Sequence, residues 1–212
     1  GNKEVIFDVQ FESGVNGNSE GSRAFQKFSP SGTVSGALGH NLPTKEVYGL
    51  FADNDKRKSA YFIVTKNGVI GTGKLKQTSA TVADGGSNVI VLRYADVLLM
   101  LAECYAEKDN VSKSNEYLNL IKKRAGIEEV SIGDVTLIKE EIALERRKEL
   151  VNEGHRWFDL IRTGKAVEVM NAYFTRTPGY TGITISELNY VQPIPQGQID
   201  TDSATKQNEG YN

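Results

Sequence analysis

The stretch EIALERRKELVNEGHRWFDLIRTGKA, Glu141 to Ala166, packs five acidic residues, six Lys or Arg, a His and the chain's single Trp into 26 positions. Two kinds of chemistry use such residues. Paired carboxylates beside a His can act as general acid and base, and His155 with Asp159 has the i, i+4 spacing of metal ligands on a helix. The competing reading is structural. Continuing the apolar stripe Ile138, Ile142, Leu150 by steps of four lands on Arg146, which puts charge on an inner helix face. Glu145 and Glu149 lie within one turn of Arg146, and a guanidinium bonds carboxylates in a two-pronged fork, so the pattern predicts a partly buried, paired network. Gly154 is expected to break the helix just before His155, and the other histidine, His40, sits in a distant loop. The residues therefore favour structure over catalysis, with no catalytic residue assigned.

Other motifs weaken under the same test. In GVIGTGKL, Gly68, Gly73 and Lys74 meet the spacing of a phosphate-binding loop, but Leu75 stands where a Ser or Thr would hold magnesium, and KQTSATVADGG is a poor helix to receive phosphate. DNDKR offers Asp53 and Asp55 to calcium, yet the next ligand position is Arg57 and no distal Glu follows in register, which predicts a solvated turn. IKKR and ERRK are short and lie among Glu residues, and the formal net charge is −2, so no nucleic-acid partner is expected. No HExxH occurs. No cofactor and no metal site is predicted, and the lone Cys104 cannot form an internal disulfide.

The elements that must position these residues divide the 212-residue chain into three parts, expected to form one structural unit. Residues 1–88 read as a loop-rich region with two short strands: EVIFDVQF, with Val5, Phe7, Val9 and Phe11 on one side, and SAYFIVT. ESGVNGNSEGS and SPSGTVSGALGHNLP are turn chemistry between them. Residues 89–170 read as a helical core. VIVLRYADVLLMLAECYAE is apolar on nearly every face and predicts a buried central helix from Val89; Ser112 is the expected N-cap of a second helix, with Tyr117, Leu118, Ile121 and Ala125 inward and Gly126 as its stop. A third helix is expected from Thr136 to about Asn152, and a fourth carries Trp157, Phe158, Leu160 and Ile161 up to Gly164. Residues 171–212 read as an irregular segment packed on that core. Leu98, Leu101, Ala102 and Tyr105 fit the first helix of a tetratricopeptide unit, while Ser114, Leu118 and Ile121 follow in the second with the last oversized. On that placement Leu101→Ala is predicted to cost ~2–5 kcal/mol. The fold class is thus mainly α, a tetratricopeptide-like hairpin and a further helix pair packed on an irregular region with short β-strands. No apolar run approaches the ~20 residues that span a bilayer.

RYADVLLMLAECYAE, YLNLIKKRAGI, IALERRKELVNEGHRWFDLIRTGKA, YVQPIPQGQIDTD and QNEGYN, in this order, resemble the C-terminal signatures of the SusD/RagB family, the outer-membrane nutrient-binding lipoproteins of Bacteroidetes. NLPTKEVYGLFADNDKRKSAYF resembles the segment before them. The resemblance implies a SusD-like α/α superhelix and a non-enzymatic binder of oligosaccharides or other oligomeric nutrients, exposed at the cell outer-membrane surface. It also implies a SusC-type TonB-dependent transporter as partner. Membrane association is expected only through a lipid anchor that these residues do not contain. Family members are considerably longer, so this chain resembles their C-terminal portion or a shortened relative. By the same resemblance Glu145, Arg146, Arg147, Glu149, Glu153, Arg156, Trp157 and Asp159 form a structural signature, and ligand contacts come from loops. A docking scaffold without its own sugar site is the second reading and a hydrolase the third, which would at least require His155.

A sugar site needs aromatic faces to cover pyranose rings and amide or Arg donors to read hydroxyls. On residue chemistry and loop position the candidates are Arg23, Phe25, Phe28, His40, Asn41 and Tyr48, with Tyr173, Tyr180 and Tyr190 as later ones.

Overall fold

The computed structural model describes residues 2–14, 20–76 and 80–211. The centre of the first expected turn, 15–19, and part of the segment after the glycine-rich motif, 77–79, lie outside them. Contacts separate two units, Gly1–Gly154 and His155–Asn212.

The first unit runs β1 (Val5–Val9), α1 (Ala24–Phe28), α2 (Lys45–Gly49), α3 (Lys56–Tyr61), β2 (Phe62–Val64), β3 (Ile70–Thr72), β4 (Val89–Arg93), α4 (Tyr94–Glu107), α5 (Val111–Ala125) and α6 (Val135–Glu149). Both sheets are antiparallel two-stranded ribbons, β1 with β4 and β2 with β3. The second unit holds α7 (His155–Arg162), α8 (Ala166–Arg176), a 3-10 turn (Glu187–Tyr190) and α9 (Gln196–Thr201). The molecule is mainly helical, as its periodicity predicts.

The core of the first unit lies between α4, α5 and α6. Ala95, Leu98, Leu99, Ala102, Leu118, Ile121, Ile138 and Ile142 pack into one cluster. Ser114 sits fully buried where α5 meets α4 and donates its hydroxyl to the Ala102 carbonyl (2.8 Å), so the small position of the hairpin pattern is filled by a bonded polar group. Gly126 ends α5 at φ +76, which a Cβ would oppose both by strain and by meeting the Lys56 side chain at 2.9 Å.

Several expectations need correction. Val89–Arg93 is a strand, not the first turn of the central helix. An all-apolar run carries no period that separates strand from buried helix, and β-branched Val89, Ile90 and Val91 found a partner in β1. In SAYFIVT only Phe62–Val64 is strand, because Asp55 caps α3 by accepting from the Arg57 N–H (3.0 Å) and the helix runs through Tyr61. The first strand exists, but register shifts between Val5, Phe7 and Asp8 break its alternation, and Phe7 and Val9 are exposed. Asn110, not Ser112, caps α5, and Asp134 caps α6, which begins at Val135 and ends at Glu149. Leu101 is only half-buried whereas Leu99 is fully buried, so the larger truncation cost moves to Leu99. In DNDKR, Asp53 is solvated but Asp55 and Arg57 are buried. Gly154 breaks the chain before His155, yet His155 opens α7, so His155 and Asp159 do share a helix. Finally, α8 runs from Ala166 to Arg176.

Candidate functional site

Five of the six proposed ligand residues lie on one ledge of the first unit. Arg23 stands at the N-cap of α1, and Phe25 and Phe28 lie on that helix, both half-buried. The following loop folds back along it. Backbone N–H groups of Leu38, Gly39 and His40 donate to the carbonyls of Gln26 (2.9 Å), Ser29 (2.9 Å) and Lys27 (2.7 Å). His40 and Asn41 are thereby held beside α1 with exposed side chains, and the Asn41 carbonyl accepts from the Asn152 amide (3.2 Å). Arg23, Phe25 and Phe28 thus lie on or at the start of a short helix whose backbone is bonded to the loop that carries His40 and leads into Asn41. Tyr48 is placed apart. Its ring meets Phe62 edge-on at 5.3 Å and has the Lys58 ammonium 5.1 Å from its centroid, so it packs on the Phe51, Phe62 and Ile70 cluster.

The charged stretch is organised by residues that local spacing does not reveal. Arg57 grips both oxygens of Asp55 (2.9 and 2.8 Å), bonds Glu149 (3.0 Å) and contacts Glu145. Arg93 bonds Glu149 (2.6 Å), Glu153 (2.7 Å) and Glu4 (2.9 Å), and donates to the Glu149 carbonyl (2.7 Å). Arg124 and the Tyr61 hydroxyl also donate to Glu149, the latter at 3.0 Å. Arg146 does lie on the inner stripe, but it bonds Asp96 of α4 (2.8 Å). Arg147 reaches Glu46 of α2 at 2.8 Å on a more solvated rim. The network thus joins helix to helix across the unit, and within α6 itself the Lys148 ammonium lies 3.9 Å from Glu145.

Its electrostatics follow from those contacts. Burial alone would raise the Glu149 carboxyl, but Arg93 and Arg124 overcome it and hold the group far below the usual carboxylate range. Asp55 is likewise held low by Arg57 against its burial. Burial and the Glu149 charge push the Tyr61 phenol well above its ordinary value. Lys74, the lysine of the glycine-rich motif, is brought down to about 8 by burial, against the pull of Glu153. It donates to the Glu149 carbonyl (2.8 Å) and pairs with Glu153, so this lysine is tied into the network, and strand β3 occupies the middle of the motif. A carboxylate kept ionised by several arginines has no proton to give near neutrality. The cluster's carboxylates are taken up in ion pairs that link α3, β4, α5 and α6.

In the second unit Asp159 accepts from Arg162 (2.8 Å), and the Trp157 ring meets Tyr190 edge-on at 6.1 Å, linking α7 to the 3-10 turn. Arg156 is half-buried on the same helix. Among the described residues no group of three or more His, Cys, Asp or Glu is arranged to hold a metal ion, and no helix is long and apolar enough to cross a membrane. Glu4, Glu46, Asp55, Arg57, Tyr61, Lys74, Arg93, Asp96 and Arg124 are participants that sequence reasoning missed. The one local signal was Asp55 two residues before Arg57 at a helix start.

A model of the SusD family matches residues 52–211. The chain is similar to two proteins of Formosa agariphila: SusD-like protein P38, at 39% identity over 93 residues (40% of this chain, 18% of the relative), and SusD-like protein P25, at 27% over 195 residues (86% and 36%). It is also similar to the solved structure of surface glycan-binding protein A from Bacteroides thetaiotaomicron in complex with laminarihexaose. That likeness has a TM-score of 0.77 and 27% identity, over 97% of this chain and 52% of that one. The chain therefore spans about half the length of that solved relative and less of the curated ones.

Proposed function

We propose, from the premise that this chain belongs to the SusD family, that it binds an oligosaccharide without chemical turnover and passes it to a SusC-type TonB-dependent transporter at the outer-membrane surface. The observation that carries this reading is the likeness, over 97% of the chain, to a surface glycan-binding protein holding laminarihexaose. The geometry is compatible with binding. The α1 ledge offers half-buried aromatic faces beside Arg23, His40 and Asn41 on backbone fixed by three hydrogen bonds, which suits pyranose stacking with hydroxyl readout. The charged cluster, by contrast, is spent on holding helices.

Calorimetry of the full polypeptide against laminarihexaose and a panel of plant, microbial and host oligosaccharides tests the proposal, with chromatography of the sugar before and after. Saturable binding with unchanged chain length is expected, weakened by Phe25→Ala or Arg23→Ala. Shortened sugar would favour a hydrolase. Association with the transporter and with no sugar would reduce the chain to a docking scaffold.

A further inference from the structure

Three rings of the second unit meet outside its core. Tyr173 and Phe174 sit on α8, and Tyr180 returns to them from the following turn. Phe174 and Tyr180 are stacked, 5.5 Å apart and 19° from parallel; Tyr173 lies 5.8 Å from Tyr180 and 6.0 Å from Phe174. The Arg176 guanidinium stands 5.6 Å from the Tyr173 centroid. Among the described residues the buried apolar side chains of this unit are Leu160 and Ala166, whereas Tyr173 and Phe174 are half-buried and Tyr180 is 41% exposed. A cluster assembled only to seal a core would bury all three rings; this one leaves Tyr180 exposed and the other two half-buried.

The turn that presents Tyr180 is fastened. The Asn171 side chain accepts from the Ile185 N–H (2.7 Å) and donates to the Ile185 carbonyl (3.0 Å), so the end of the turn is pinned to α8. Tyr180 donates its N–H to Thr177 (3.2 Å) and accepts from Ile183 (3.0 Å), and glycines at φ +91 and +85 flank it at 179 and 182. Rings on pinned backbone lose little freedom on binding, which favours a contact surface.

We infer that this cluster is a sugar-contact surface of the second unit, where a pyranose ring stacks on the exposed Tyr180 and the Arg176 guanidinium donates to its hydroxyls. The inference rests on the reading of the chain as an oligosaccharide binder and deepens it. Neutral pyranoses fit best because their C–H faces match aromatic faces in shape and polarity, while a guanidinium supplies donors in a fixed plane.

The test uses the full polypeptide and laminarihexaose, or the tightest oligosaccharide of the panel. Calorimetry compares wild type, Tyr180→Ala, Tyr180→Phe and Phe25→Ala, while hydrogen exchange on the wild type, with and without sugar, follows residues 171–183. Tyr180→Ala is expected to weaken binding about tenfold and Tyr180→Phe, which keeps the ring, less than about threefold. Protection of 171–183 by sugar is expected as well, and needs no variant to fold. If Phe25→Ala weakens binding but Tyr180→Ala does not and the segment gains no protection, the platform is overturned while the binder reading stands. If the wild type binds no sugar of the panel, both fall.

Discussion

Within one unit of this molecule Glu149 is sealed from water while Phe7 shows half its surface to it. Hydropathy alone orders the two the other way. Asp55, Glu145 and Glu149 are buried because Arg57 of α3, Arg93 at the end of β4 and Arg124 of α5 meet them. The β1/β4 ribbon has just two strands, and Ile6, Phe7, Val9, Ile90, Val91 and Leu92 stay 39–56% exposed along it. The difference teaches that partners decide burial. A charge with all its bonds made enters the interior, and an apolar side chain without an overlying layer stays out.

Four measurements break or sharpen that contrast. Glu149→Ala is expected to cost ~3–5 kcal/mol in urea unfolding, because three arginines lose their shared acceptor in a buried site; a loss under ~1 kcal/mol would mean the clamp is decorative. Ile142→Ala, which removes apolar volume from the same helix, is expected to cost ~2–5 kcal/mol by cavity formation.

The pH dependence comes next. Glu149 and Asp55 are held below their unfolded values, so the stability they contribute is present above about pH 5 and drains away as pH falls through the acid range. Lys74 runs the other way, being a base lowered to about 8 from 10.5. From pH 8 to ~10 the unfolded chain holds its proton more tightly, so stability should rise by at most ~1.4 kcal/mol per pH unit, and Lys74→Met should abolish that rise. Tyr61, raised by burial, opposes it above pH ~10. Pairwise comparison of urea midpoints from pH 3 to 10 would expose both limbs. The smallest effect is expected on the ribbon, where Phe7→Thr should change stability by less than ~0.5 kcal/mol. A loss of 2 kcal/mol there would show that the ribbon is covered after all.

The layer was more legible in the sequence than the ribbon or the ledge. Steps of four from Ile138 through Ile142 to Leu150 passed through Arg146, and a cation on an apolar stripe announces a paired burial. Its partners were not readable, because Arg57 and Arg93 lie 92 and 56 positions from Glu149 and a long-range ion pair leaves no local period. Strand β4 was lost for a related reason: VIVLR runs straight into the apolar YADVLLM, and only a pairing partner distant in sequence separates strand from helix. On the ledge, residue chemistry alone suggested Tyr48 alongside Phe25 and His40. Whether a ring faces a neighbour or open space depends on Phe62, which follows it 14 residues later on another element.

Arg93 stands at the junction of β4 and α4, and its guanidinium reaches Glu4 before β1 as well as Glu149 at the end of α6 and Glu153 in the turn after it. Glu4 in turn accepts from the Ala95 N–H (3.2 Å) at the start of α4. One side chain thus ties the first residues of the unit to its last helix, so local opening at either end forfeits the same bonds. Amide exchange in β1, the first turn of α4 and the last turn of α6 is expected to follow a single opening event, with no separately fraying N-terminal strand. A protease or a rising denaturant would then meet this unit as one cooperative block, and Arg93→Ala would split that block into pieces that open at different concentrations.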